Sequence, residues 1–145
     1  MKLEEQLNKC LCDLSVLYAK IQNYHWYVRG KSFLQVHAQL ESYYDAVAAQ
    51  RDEVAEKMLQ IGGKPVAGLK AFLAGSEIKE AEGQEISVEA ALGSVLTDFT
   101  ILLQQATALK ECAEEEENHL ISVLADELIE YYSKARWMLT SSIEN

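Results

Sequence analysis

Two of the chain's three histidines, His25 and His37, flank a turn centred near Lys31, six residues before it and six after. In an antiparallel helical hairpin those positions are level, so two imidazoles meet at one height. Both also sit on the apolar stripe of their helices. A single stripe histidine is usually a satisfied core residue, but two at one height point to a metal site. Asp52 and Glu56, four residues apart, share a face further along the second helix, and His37 and Glu41 repeat that spacing. Imidazole with carboxylate and no thiolate suits iron, zinc or manganese. Two histidines and two carboxylates with open positions would bind Fe(II) and still admit an oxidant.

The spacing sets a constraint on how these groups combine. His37 and Asp52 are 15 residues apart on one helix, which is about 22 Å along its axis. They cannot bind one ion within a single chain. Their midpoint lies between Tyr44 and Asp45. A twofold axis there, with two copies of the helix packed antiparallel, brings His37 of one chain level with Asp52 of the other. The expectation is a dimer with two equivalent sites, each holding His25 and His37 from one subunit and Asp52 and Glu56 from its mate.

The elements that must position these residues are helices. From Leu3 to Val28 apolar residues recur in steps of three and four (Leu3, Leu7, Leu11, Leu14, Tyr18, Ile21, His25, Val28), and three further stripes follow. The predicted helices cover about residues 3–29, 33–61, 88–116 and 119–142. Gly30 reads as the first stop and Ser32 with Gln35 as a capping box. Ser87 and Asn118 read as caps of the third and fourth helices. Five of the seven glycines and the only proline fall between Gly62 and Gly83, so 62–87 reads as a crossover, with a short helix over 69–73. No stretch has a strand pattern. Four helices with two short turns and one long crossover predict an all-α fold, a ferritin-like four-helix bundle in a single domain over 1–145.

Composition narrows the function. The chain has 145 residues, 23 acidic against 13 basic, and a formal charge of −10. Such a surface repels nucleic-acid phosphates and anionic membranes and attracts cations. No apolar run approaches the ~18 residues of a membrane span, and no leader is visible, so a cytoplasmic location is expected. Cys10, Cys12 and Cys112 read as reduced, buried thiols, with Cys10 and Cys12 on opposite sides of their helix.

The stretch Asn23-Tyr24-His25-Trp26-Tyr27-Val28-Arg29-Gly30, then Phe33, Val36-His37, Asp52-Glu53-Val54-Ala55-Glu56-Lys57 and Ile61-Gly62-Gly63-Lys64-Pro65 closely resembles the Dps family. These are the miniferritins of the ferritin-like superfamily, the DNA-binding proteins from starved cells. The resemblance implies a dodecameric hollow shell built from dimers, with a ferroxidase site at each dimer interface. The family's ligands fall on His25, His37, Asp52 and Glu56, the set the dimer geometry selects. Glu41 falls where a further acidic residue assists a second iron. Trp26 falls on the tryptophan beside the centre, where it packs the site or donates an electron. The implied activity is oxidation of Fe(II), typically by hydrogen peroxide, with storage of ferric mineral and protection from oxidative stress. Zinc fits the same ligands as a substitute.

Two features depart from the family pattern. There is no lysine-rich tail, so DNA binding is not carried over, and a DNA-compacting protein with secondary iron binding is the alternative reading. The run Glu114-Glu115-Glu116-Glu117 with Asp126 supplies acid near the expected iron-entry pore without the usual aspartate spacing. Glu116 and His119 also form a lone Glu-x-x-His, read here as a decoy rather than a di-iron ligand set.

Overall fold

A computed structural model describes residues 2–143. Its elements run α1 (Lys2–Tyr27), β1 (Val28–Arg29), α2 (Phe33–Gln60), α3 (Leu69–Gly75), β2 (Ile86–Ser87), α4 (Val88–Glu115) and α5 (His119–Ile143). The four long helices form two hairpins, α1 with α2 and α4 with α5, and α3 lies in the crossover between them. This is a ferritin-like four-helix bundle with one extra short helix. The stripe residues close the core: Leu7, Leu14, Ile21, Leu40, Val47, Met58, Phe99, Leu109 and Ile121 are all fully buried, and Leu17 and Tyr132, outside the stripes, are buried with them while Tyr18 is half-buried. No helix among the described residues is long and apolar enough to cross a membrane.

The helix boundaries follow from local chemistry, with two corrections. The Ser87 hydroxyl accepts the Ala90 N–H at 3.1 Å and caps α4, and the Asn118 side chain accepts the Ile121 N–H at 3.1 Å at the start of α5. Ser32 makes no capping bond. It sits in the left-handed region at φ 66°, where its hydroxyl cannot reach the first free N–H groups of α2. The turn is closed by backbone instead, Phe33 N–H to Gly30 carbonyl at 3.2 Å. The second correction concerns α1, which stops at Tyr27. Val28 and Arg29 leave the helix to pair in parallel with Ile86 and Ser87. Two residues per strand leave no periodicity to read.

The crossover is laced to α1 along its length. Glu4 accepts the Lys64 N–H. Asn8 donates to the Lys64 carbonyl at 3.2 Å and accepts the Val66 N–H at 3.0 Å. Gly75 packs on Cys12 so closely that a Cβ would lie 2.7 Å from Sγ. Asp13 accepts the Ser76 hydroxyl and the Glu77 N–H, both at 2.8 Å. Glu4, Asn8 and Cys12 recur every four residues, so they form a second working face on α1. Hence every residue from Leu11 to Leu17 is buried, and both Cys10 and Cys12 lie inside, one in the core and one under α3. Burial holds the Cys10 thiol up at about 12, which makes it a packing group rather than a nucleophile or metal ligand. All three cysteines are free and buried.

Between α1 and α4 runs a buried polar seam. Lys20 pairs with Asp98 at 2.8 Å, and Gln6 donates to Gln105 at 2.7 Å. Gln6, Asp13 and Lys20 are seven residues apart in turn, which keeps them on one stripe.

Candidate metal centre

The histidine pair forms at the closed end of the α1–α2 hairpin. The His25 and His37 rings stack with centroids 3.7 Å apart and planes 14° from parallel. Each ring donates its Nδ1–H to the other residue's backbone carbonyl, both at 2.7 Å. A carbonyl only accepts, so each Nδ1 carries a proton, and the tautomer this fixes for an uncharged ring has its lone pair on Nε2. Metal-ligating histidines are oriented in this way, the far nitrogen fixed by an acceptor and the near one left open. His25 is buried, 6% exposed, and His37 is half-buried. The Glu41 carboxylate stands one turn beyond His37, with Oε1 3.7 Å from His25 Nε2.

Aromatic rings brace this pair on both sides. Tyr44 meets His25 edge-on at 5.3 Å, and Tyr18 meets Tyr44 edge-on at 5.7 Å. Phe33 stacks on His37 at 5.1 Å with planes 24° apart. Trp26 turns outward and is 65% exposed on this chain.

The carboxylates stand at the other end of α2. Asp52 and Glu56 are exposed and form no ion pair among the described residues. Their cationic neighbours are engaged elsewhere. Arg51 donates Nε–H to the Ser15 hydroxyl at 2.7 Å and lies over the Phe72 ring, 4.9 Å from its centroid. Lys57 pairs with Glu53 at 3.0 Å. Two unpaired carboxylates therefore share one open face, about 22 Å along α2 from the histidines. Among the described residues, no three histidine, cysteine, aspartate or glutamate side chains converge on one point within the chain. The structure thus pairs His25 with His37 and sets the Glu41 carboxylate near His25, short of a three-residue cluster, and it leaves Asp52 and Glu56 apart from them.

The acidic run before α5 has other partners. Glu116 accepts the Leu3 N–H at 3.2 Å, which caps α1. Glu115 pairs with Lys2 at 3.5 Å. Asp126 pairs with Lys110 at 3.0 Å. Glu116 is thus spoken for in the lone Glu-x-x-His, and His119 is an exposed first residue of α5. A groove of about 920 Å³ opens between α2 and α5, but it holds none of the six candidate residues.

Sequence reasoning missed the reciprocal backbone bonds, because the acceptors are carbonyls that every residue carries. It missed Tyr44 for want of a spacing rule across two helices. The Phe33 contact was within reach, since an aromatic four residues before a histidine on a helix meets it.

The ferritin family, described as a ferritin-like domain, matches residues 4–145 of this chain. The chain is similar to "DNA protection during starvation protein 2" of Bacillus anthracis, 37% identical over 135 residues, covering 93% of this chain and 92% of that one. Among solved structures it is similar to antigen TpF1 from Treponema pallidum, with TM-score 0.97 and 35% identity over 99% of this chain and 92% of that chain. A Dps protein from Vibrio cholerae, described as a member of a broad superfamily of ferritin-like diiron-carboxylate proteins, is similar with TM-score 0.95 and 30% identity, covering 99% and 89%.

Proposed function

Because this chain belongs to the Dps miniferritins of the ferritin-like family, we propose that it is a ferroxidase that oxidises Fe(II) with hydrogen peroxide and stores the ferric product inside a shell. The observation that carries this reading is the histidine pair, two Nε2 lone pairs held side by side by reciprocal backbone bonds. His25 and His37 of one subunit bind Fe(II), and the partner's Asp52 and Glu56 complete the site, with Glu41 assisting a second iron. The carboxylates stabilise the rising charge on iron and the imidazoles tune it. Two Fe(II) give one electron each, the peroxide O–O bond breaks, and two protons complete two waters, so no hydroxyl radical leaves.

The subunits form dimers about an axis between Tyr44 and Asp45, and the dimers build a dodecamer. The unpaired Asp52 and Glu56 support this, as do Leu59 on α2 and Leu69 and Leu73 on α3, large apolar side chains that stand exposed on the single chain. The charge of −10 favours iron uptake and weighs against the alternative of a DNA-compacting protein. The three buried free thiols suit a reducing cytoplasm.

The test is to add Fe(II) and then peroxide to the purified protein, following ferric absorbance and particle size together. The expected result is oxidation faster than in a protein-free control, with iron retained in a soluble particle of unchanged radius. Oxidation at the control rate, or a ferric precipitate, would overturn the reading.

A further inference from the structure

His37 lies between two rings. His25 occupies one face at 3.7 Å, and two rings cannot stack on the same face of one imidazole. Phe33, stacked at 5.1 Å, therefore takes the other face. Phe33 is the first residue of α2 and sits one turn before His37, the spacing that brings side chains together on a helix. Its position depends on the turn before it. Gly30 has φ +124°, a conformation that favours glycine, and Ser32 is left-handed. The Phe33 N–H then closes on the Gly30 carbonyl.

The core does not account for this ring. Phe33 is 37% exposed, while the stripe residues one and two turns further on, Val36 and Leu40, are buried. A hydrogen bond at Nδ1 alone leaves an imidazole free to rock about that bond. A ring on each face removes that freedom, and His25 supplies only one of them.

We propose that Phe33 is a positioning residue for the metal site, the outer jaw of a clamp that fixes the His37 ring plane and so the direction of its Nε2 lone pair. The clamp rests on the ferroxidase reading above. The twofold axis of that reading sets Phe33 level with the partner's Glu56, so the ring also stands where the two halves of the site meet. A rigid imidazole loses no rotational freedom on binding metal, so the clamp acts as preorganisation.

Two measurements on one variant set test this. Co(II) titrations followed by visible absorption read the affinity of the site. Solid-state ¹⁵N spectra of histidine-labelled, metal-free protein read the ring nitrogens of His37. In the natural protein His37 gives one signal set, with Nδ1 protonated. Phe33→Leu, which keeps apolar bulk but removes the ring, weakens Co(II) binding about fivefold, equivalent to about 1 kcal/mol, and gives His37 a second, mixed-tautomer population. Phe33→Tyr restores both readouts. Should Phe33→Leu not assemble, Phe33→Met, whose thioether packs without an aromatic face, carries the same test. Natural Co(II) affinity and unchanged His37 signals in the ring-less variant would overturn the clamp. Failure of the ferroxidase reading shows differently, as Co(II) binding unchanged by His37→Ala, and the clamp's role in metal binding falls with it.

Discussion

The two ends of α2 carry the two halves of the proposed site, and they are built in opposite ways. At the amino end, His37 is tied to His25 by two backbone bonds and a ring stack, all within one chain. At the carboxyl end, Asp52 and Glu56 stand in solvent, with the nearby cations Arg51 and Lys57 turned to Ser15, Phe72 and Glu53. One half is preorganised by the fold of the subunit. The other is only kept free, which is what a group must be if a second subunit is to use it. The lesson concerns carboxylates in particular. An imidazole needs one nitrogen fixed to present the other, whereas a carboxylate accepts from many directions and needs only that no local cation neutralise it.

The largest effect that could break this contrast comes from mixing variants. His37→Ala and Asp52→Ala each slow peroxide-driven iron oxidation at least about tenfold, since even outer supports of a ligand cost 10–100-fold. Co-expressed in equal amounts, they restore about a quarter of the natural sites, because one dimer in two is mixed and holds one intact site of its two. Absence of recovery in mixed assemblies would show that each chain supplies a whole site.

Arg51→Ala tests the claim that the carboxylate end is kept free by engaging its cations elsewhere. It removes the bond to Ser15 and the contact with Phe72, and should cost about 1–2 kcal/mol of stability. Hydrogen exchange should rise in α3 and leave the His25–His37 end unchanged. Equal loosening at both ends would mean that they are not independent.

The two serines at helix starts sharpen the contrast on a smaller scale. Ser87→Ala loses a true cap and should lower stability by about 1 kcal/mol. Ser32→Gly, at the histidine end, should raise it by about 0.5 kcal/mol, because glycine accepts the left-handed turn without strain. Thermal melts decide both. Destabilisation by Ser32→Gly would mean that the hydroxyl has a role beyond the turn.

The smallest effect is one of pH. Asp13 fastens the crossover that carries α3, and it is 1% exposed. Burial raises its carboxyl above the ordinary value of 3.8, although Ser76 and the Glu77 N–H pull it down. A carboxyl raised in the fold binds its proton more tightly there than in the unfolded chain. Its contribution is therefore full below pH 3.8 and declines as pH rises through the raised value. Asp13→Asn keeps an acceptor for Ser76 and Glu77 and should remove that decline, seen as a flatter stability curve in denaturant titrations from pH 4 to 7. An unchanged curve would place the dependence elsewhere, with Asp98, which burial also raises, the next group to test.

Much of the architecture was legible in the residues. Steps of three and four gave the long helices, because a helix buries one face and that face repeats with its turn. Clustered glycines gave the crossover. Ser87 and Asn118 were legible as caps because their side chains act within three residues. Ser32 has the same residue type and fails, since a left-handed backbone inherited from the Gly30 turn swings its hydroxyl away. The second face of α1, Glu4, Asn8 and Cys12, was not legible, because its polar residues look like a solvated face until the crossover is laid against them. The contacts of Glu115 and Glu116 were not legible for a related reason, since both meet the first turn of α1, more than a hundred residues away.

By itself the sequence determined the types and spacing that matter: two imidazoles level across a turn, two carboxylates four apart, and a helix between them too long for one site. Periodicity and rise per residue are local properties, so they survive without coordinates. Only the tertiary structure decided that each histidine fastens the other through its backbone, that Phe33 closes the stack, and that Arg51 and Lys57 leave the carboxylates unpaired. Those outcomes depend on which groups meet across helices, and a hydrogen bond or a stacked ring is fixed by distances that chain order does not contain.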